Sequence, residues 1–421
     1  MDQYLHSIGS TRRPVFFCPA VSCVDHSLFA MMLNDLPTPA VIVDRQRLEA
    51  NLADMQALAE RESVQLRPHT KTHKSIRMAR RQEALGAAGL TVAKVAEAEV
   101  FAEAGFRDIR IAYALVGRDK LERVARLMRS GVRISFCVDT ASGADAASAF
   151  FASQGLEADV LIEMDIGYGR CGIRWDDPSS IRWAASLDQK PGLHVVGILT
   201  HAGHAYSGPQ DASEQLREAL ERVSAEERDR MLDTAISLRD AGLEAAVAGT
   251  LEISIGSTPS ISAFTNAERQ GFRITEIRPG NYLYLDMTQV GLGVAPIDRC
   301  ALTVWTTVIS RHDNQDGSQR FFLDAGKKVL TSDGAYGAEG YGQILASMDP
   351  MRALEGTLIN GLSEEHGWVR AAADVEVAVG DRVRVVPNHA CVVVNTQSAL
   401  HLVDGNEVIE TITVDGQSRV L

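Results

Sequence analysis

The sequence predicts an α/β architecture, a (β/α)8 barrel followed by a β-rich C-terminal domain, and three observations carry that prediction. Short β-branched runs alternate with longer helical patterns over residues 36–289. Eight such runs can be counted from "VQLRPH" onward. After about Val290 the helical patterns give way to strand-like segments and Asp-Gly turns. Strand–helix alternation implies a parallel sheet, and eight units suggest that it closes into a barrel.

A chain of 421 residues is too long for one ordinary core. Residues 1–35 read as an N-terminal extension, expected to be poorly ordered. Within it "RRPVFFCPAVSCV" imitates a signal peptide, but Pro14 and Pro19 interrupt it and no small-residue cleavage site follows. From "TPAVIVD" the pattern becomes regular, with Leu48, Leu52, Met55 and Leu58 at helical spacing. The eight runs are "VQLRPH", "GLTVAKV", "IRIAYAL", "RISFCVD", "ADVLIEMD", "HVVGILTHA", "LEISIGS" and "TEIRPGNYLYLD". Residues 36–289 are thus assigned to the barrel and 290–421 to the β-rich domain. In the latter, "CALTVWTTVISR", "RFFLDAG", "RVRVVPN", "CVVVNT" and "EVIETITVDG" read as strands. Asp-Gly pairs at Asp316, Asp404 and Asp415 read as hairpin turns.

Composition narrows the function. A formal charge of −13 argues against nucleic acid and anionic membrane as partners. No apolar run approaches the roughly 20 residues that span a bilayer. Six cysteines without a framework spacing suggest a reducing compartment, and a cytoplasmic location is expected.

Against that acidic background, "LRPHTKTHKS" at Leu66–Ser75 forms a local basic island. Barrel chemistry sits where strands end and βα loops begin. Lys71 falls just past the first barrel run, Arg170 past "LIEMD", His201 past "VVGILT", and Gly256-Ser257-Thr258 past "LEISI". Flanked by His69, His73 and Lys74, Lys71 is expected to have its pKa lowered by like charge and partial desolvation, which frees its amine as a nucleophile. The plainer reading is a solvated basic loop. "ISIGSTPS" supplies a phosphate cradle, with Gly256 allowing close approach and Pro259 placed for a first helical turn. "RPGNY" at Arg278–Tyr282 would be its other half, with Gly280 as the close-approach residue. A lysine, an arginine and a phosphate loop together point at pyridoxal phosphate. In "PNHACVVVNT", His389 and Cys391 stand two apart, so an extended chain would put them on one face. Imidazole with thiolate suits zinc. A buried cysteine beside a hydrogen-bonded histidine is the plainer alternative.

These residues resemble a known family. "TPAVIVD", "RPHTKTHK", "MDIGYGRCGI", "THAGHAY", "GSTPS", "RPGNY", "GYGQ", "EEHG" and "PNHAC" look like the D-serine dehydratase and D-threonine aldolase family. Its members are fold-type III pyridoxal phosphate enzymes related to alanine racemase. The resemblance runs in consistent order from about Pro37 to Cys391 and implies a role for each matching residue. Lys71 would bind the cofactor's aldehyde covalently, and Arg170 would sit near its phenolic oxygen. Gly256, Ser257 and Thr258 would hold the phosphate, with Gly280 and Asn281 beside them. His201 and Tyr206 would be further cofactor contacts. His389 and Cys391 would bind a divalent metal, zinc or manganese or magnesium, and take part in catalysis with Lys71. Such enzymes are usually homodimers and act on small D-amino acids. "PNHAC" and "THAGHAY" look more like the dehydratase branch, since aldolases tend to carry a carboxylate where this chain has Cys391.

The implied activity is a lyase acting on D-β-hydroxy-amino acids. A dehydratase of D-serine or 3-hydroxy-D-aspartate type is expected, with a D-threonine or 3-hydroxy-D-aspartate aldolase as the alternative. A racemase would need a second base, for which Tyr336 and Tyr341 are available, but it leaves "PNHAC" unexplained. A cofactor carrier without turnover would not need the second domain. His366 in "EEHG" reads equally as an acid or base and as a loop residue. For His201 and His204, hydrogen bonding around the cofactor is preferred to metal binding.

Overall fold

Each barrel strand turns one side outward to the helices and the other into the barrel. The computed structural model describes residues 31–421. Eight strands, from Gln65–Leu66 to Glu276–Ile277, stand side by side in chain order within a nine-stranded sheet. The ring closes where His69 bridges Thr91 in parallel and the Ala88 amide donates to the Leu66 carbonyl at 2.9 Å. The ninth strand, Ile173–Arg174, pairs with the end of Ala158–Asp165. Outside the ring, Phe101, Phe151, Ile162 and Leu232 are fully buried among the helices.

The inside of the ring is charged at its base. Arg110, nearly inaccessible, bonds Glu276 and Glu252 and donates to the Ser135 hydroxyl at 3.1 Å. Arg67 donates to Glu276 at 2.6 Å and to Asp108 at 2.7 Å. Burial disfavours the Glu276 carboxylate, but Arg110 and Arg67 outweigh it and hold its pKa down at about 2. That stabilisation is complete above the ordinary value of 4.5 and is lost as pH falls from there toward 2. Glu276→Gln leaves two buried arginines short of charge and is expected to cost about 3–5 kcal/mol of unfolding free energy. Urea denaturation at pH 7 measures this, and the variant's stability should fall less steeply below pH 4.5 than the wild type's. Above the charged layer, Ala112, Cys137, Leu161 and Leu199 form a small apolar layer.

The second domain is built on the long strand Leu302–Asp313, which pairs with Ala40–Asp44, Gln319–Leu323 and Arg382–Val386. Ala40–Asp44 therefore departs from the expected assignment of residues 36–289 to the barrel. It lies between Leu302–Asp313 and Ala399–Asp404, in the second sheet. Val41, Ile42 and Val43 are buried on both faces, as a central strand requires, and the barrel is already closed without them. Of residues 31–35, grouped above with the poorly ordered extension, Met31–Met32 form a strand of this sheet and Leu33–Asp35 a helical turn after it. Met31 pairs with Val408, and the Leu33 amide donates to the Asn406 carbonyl at 2.7 Å. Residues 1–30, with Cys18, Cys23 and the signal-like stretch, lie outside the described residues.

The Asp-Gly pairs at Asp316 and Asp404 do turn hairpins. Asp415 does something else: its carboxylate accepts from the Ile76 amide at 2.8 Å and caps the helix Ile76–Ala84. The Gly416 amide donates to the Lys74 carbonyl, also at 2.8 Å, so this segment braces the loop that carries Lys71. Among the described residues, no helix is long and apolar enough to cross a membrane.

Candidate active site

A cavity of about 940 Å³ opens at the barrel mouth, floored by Ala112 and Leu199 and walled by the second domain. Lys71, Arg170, His201, Tyr206, Gly256, Ser257, Thr258, Gly280, Asn281, His389 and Cys391 all line it. His366, by contrast, is exposed in the turn between two strands of the second domain. Tyr336 faces the cavity, whereas Tyr341 packs into the second core. His204 does not line the cavity, and neither ring nitrogen has a partner among the described residues. The preferred reading of it as a hydrogen-bonded neighbour of the cofactor is thereby corrected.

Lys71 sits in a single helical turn, Thr70–Thr72, capped by His69. The Thr70 hydroxyl donates to the Thr91 carbonyl at 3.1 Å, which ties the turn to the next strand. The Lys71 side chain is reachable from the cavity but has protein around most of it. That desolvation lowers its pKa, with Arg170 and Arg278 adding to the effect and Cys391 and Glu97 opposing it. Of the two expected causes, partial desolvation is present, but His73 and Lys74 do not supply the like charge. His73 is buried against Gln82 with its pKa pushed down to about 4, and Lys74 pairs with Glu97 at 3.0 Å.

Across the cavity, Ser257 caps the short helix Thr258–Ile261, its hydroxyl accepting from the Ser260 amide at 3.3 Å. The Thr258 hydroxyl accepts from the Asn281 amide at 3.0 Å, so "GSTPS" and "RPGNY" meet as one cradle. Gly256 has φ +146°, and a β-carbon there would lie 2.8 Å from the Arg278 amide nitrogen. At Gly280 a β-carbon would lie 2.9 Å from the Thr72 hydroxyl, so this close approach is to the Lys71 turn. Glu227, from the long helix Leu216–Asp240, accepts from the Gly256 amide at 3.0 Å and the Ala202 amide at 3.2 Å. His201 Nδ1 is 3.0 Å from the Gly256 carbonyl, so that nitrogen carries the proton. Burial and the charges of Lys71 and Arg170 hold its pKa down at about 3, so the ring is neutral.

Arg170 is presented by a glycine loop in which Asp165 accepts from the Gly167 and Gly169 amides at 2.9 and 3.0 Å. Its guanidinium lies 3.6 Å from Glu163. Arg278, read from sequence as the first residue of "RPGNY", is buried in the cavity wall and bonds the Ser254 hydroxyl and the Thr200 carbonyl. Tyr206 is part-exposed at the cavity, where desolvation pushes its hydroxyl pKa up.

"CVVVNT" is not a strand. Ala390–Thr396 is a helix and His389 is its N-cap, with extended backbone. The buried Asp286 carboxylate fixes its start by accepting from the Ala390 amide at 2.8 Å and from the Asn281 side chain at 2.6 Å. His389 Nδ1 is 2.7 Å from Asp333, and the Thr72 hydroxyl is 3.2 Å from the Cys391 sulfur. Burial pushes the Cys391 thiol up, but the hydrogen bond and charge of His389, with Lys71 and Thr72, outweigh it and lower the pKa. The pair thus offers an imidazole backed by a carboxylate and a thiol inclined to ionise, a donor set that fits a divalent metal. Among the described residues, one group of three possible donors lies close together, Asp139, Glu163 and Cys171. Its groups are already satisfied: the Cys171 thiol donates to Glu163 at 2.9 Å, and Asp139 accepts from the Gly172 amide at 3.1 Å. Burial and Glu163 push Cys171 up to about 11, so it stays protonated and is the poorer ligand.

Comparison with known proteins gives this geometry a family. Residues 43–288 match the model of the alanine racemase N-terminal domain, and residues 301–403 match that of a serine dehydratase domain. The chain is 33% identical to D-threo-3-hydroxyaspartate dehydratase of Delftia sp. (strain HT23), over 85% of this chain and 92% of that protein. It is also 33% identical to D-threonine aldolase of Arthrobacter sp., over 92% and 95%. The chain belongs to this family of pyridoxal phosphate-dependent lyases. A solved structure of the Delftia dehydratase superposes on the lyase with a TM-score of 0.80, at 31% identity and over 91% and 98% of the two chains. Another structure of that dehydratase, a cysteine-to-alanine mutant, is in the metal-free form. D-threonine aldolase from Filomicrobium marinum gives a TM-score of 0.78 at 30% identity, over 93% and 99%. Alanine racemase from Bacillus anthracis shares the fold at 16% identity, with a TM-score of 0.62.

The cofactor's requirements fit this lyase. The Asn281 side-chain oxygen is buried without a partner at the cradle, and the two glycines let the cradle close against the Arg278 backbone and the Lys71 turn. Missed from sequence were Glu227, Asp286 and Asp333, none of which carried a local signal.

Proposed function

We propose that this lyase is a metal-assisted dehydratase of β-hydroxy-D-amino acids, releasing ammonia and a 2-oxo acid. One observation carries the reading: Lys71, with its lowered amine pKa, shares a cavity with His389 and the ionisation-prone Cys391. Lys71 is the covalent anchor and, once released, its Nζ takes the proton from the substrate's α-carbon. Bound pyridoxal phosphate would supply an electron sink for that carbon. Gly256, Ser257, Thr258, Gly280 and Asn281 would hold its phosphate end, and Arg170, with His201 and Tyr206, would orient its ring. His389 and Cys391 would hold zinc, or manganese or magnesium, a Lewis acid for the departing β-hydroxyl. Asp333 holds the Nδ1 proton of His389, so Nε2 is the nitrogen that would ligate, giving up its own proton as the metal binds. The product pair from D-threonine tests the reaction type. Ammonia with 2-oxobutanoate supports elimination, while glycine with acetaldehyde would replace it by the aldolase reading.

The substrate class follows from the cavity's other charges. Lys94 Nζ lies 4.0 Å and Lys120 Nζ 5.7 Å from the centre of the Tyr113 ring, and all three residues line the cavity. Neither lysine has a carboxylate partner among the described residues. Two free cations beside the reacting centre suit a substrate with a second carboxylate, as in 3-hydroxy-D-aspartate. Lys94→Met and Lys120→Met are each expected to raise KM for that substrate about tenfold, with D-serine little affected. Equal effects on both substrates in steady-state kinetics would remove the second-carboxylate assignment. The four described cysteines are free, in line with the expected cytoplasmic location. We expect a homodimer, which sedimentation would register as twice 45.6 kDa.

A further inference from the structure

A second cavity, of about 760 Å³, lies away from the barrel mouth. It is bounded by Leu33 and Asn34, the start of the helix Arg45–Arg61, the hairpin joining Gln343–Met348 to Met351–Ala353, and the strand Arg382–Val386. Arg384 lines it, is only 6% exposed, and makes no hydrogen bond or ion pair with its guanidinium among the described residues. Its guanidinium carbon lies 5.9 Å from the centre of the Trp305 ring. A buried charge without a partner is costly, and proteins retain one where something compensates it.

The other cations around this cavity are already engaged. Arg47 holds Asp44 at 2.8 Å and donates to the Asp298 and Met348 carbonyls, so the acid nearest Arg384 is taken. Arg382 bonds the Asn34 and Leu36 carbonyls, and Arg299 bonds Asn51 and Asp54. Burial lowers the Arg384 pKa to about 10, so the side chain is still cationic at neutral pH.

We propose that this cavity binds a small oxyanion, a phosphate or a carboxylate, through the Arg384 guanidinium. Such an anion supplies both the missing charge and an acceptor for the guanidinium N–H groups. The strand that carries Arg384 runs on to His389, so the anion would stiffen the segment that delivers one wall of the active site.

The test is calorimetric titration of inorganic phosphate, and separately of acetate, into the full-length enzyme loaded with pyridoxal phosphate. Loading keeps the active-site cradle filled, and chloride holds the ionic strength constant. Saturable binding of at least one of the two anions is expected, the better binder identifying the class. Arg384→Met should weaken it at least about tenfold, since a charge-assisted hydrogen bond is lost. Trp305→Phe, which keeps the ring near Arg384, should bind close to wild type. Without anion, Arg384→Met should melt no lower than the wild type, because the charge it removes is unpaired. Binding by Arg384→Met as tight as wild type, no saturable binding of either anion, or a lowered melting temperature without anion would each overturn the proposal.

Discussion

Lys71→Ala is expected to reduce turnover by at least about 10⁴-fold while leaving the fold intact. The fold is spared because the Lys71 side chain makes no ion pair or hydrogen bond among the described residues; the turn around it is held by His69, Thr70 and Thr72. Activity is lost because no other amine occupies that position over the cradle. Lys71→Arg separates charge from nucleophilicity. It keeps a cation beside Cys391, but guanidinium does not deprotonate in proteins, so it should be as inactive as the alanine variant. Near-wild-type melting of both variants, with loss of the covalently linked cofactor's absorbance, checks the assignment. The lowered amine pKa has a separate consequence. Uptake of pyridoxal phosphate by the apoenzyme should speed up as pH rises, with a midpoint below the ordinary lysine value of 10.5.

Cys391→Ala and His389→Ala are the next largest, each expected to lower kcat on the order of 10³-fold, the several kcal/mol a Lewis acid supplies. The two residues reach the cavity from one helix start, which Asp286 fixes through the Ala390 amide. Removing either leaves one donor where two stood. Asp333→Asn should act more mildly. It retains the shape but loses the charge behind His389, and metal affinity is expected to fall about 10- to 100-fold. Direct metal titration separates these variants. The alanine variants should show no tight site, whereas the asparagine variant should recover full activity at raised metal concentration.

How much of this was legible in the sequence depends on the kind of residue. Eight runs gave the barrel, because strand length and flanking helices show in the hydropathy pattern. Lys71, Arg170 and Ser257 were legible because polar residues at strand ends stand out against those runs. Ala40–Asp44 was misplaced because a doubly buried strand reads alike in either sheet, and only pairing decides. Ala390–Thr396 was misread because three successive valines favour strand, whereas its helix is set by a distant carboxylate, Asp286. The buried charges at the barrel base escaped for a related reason: Arg110 and Glu276 sit singly inside apolar runs, and nothing local reveals that they meet. Glu227 and Asp333 act across long stretches of chain, and their helix and loop look ordinary.

The measurement that tests the account most directly is metal add-back to the chelated, cofactor-loaded enzyme supplied with 3-hydroxy-D-aspartate. Chelation should abolish turnover without removing pyridoxal phosphate. One equivalent of zinc per chain should restore it, releasing ammonia and oxaloacetate in equal amounts. Full turnover in the chelated enzyme, or glycine and glyoxylate as the restored products, would contradict it.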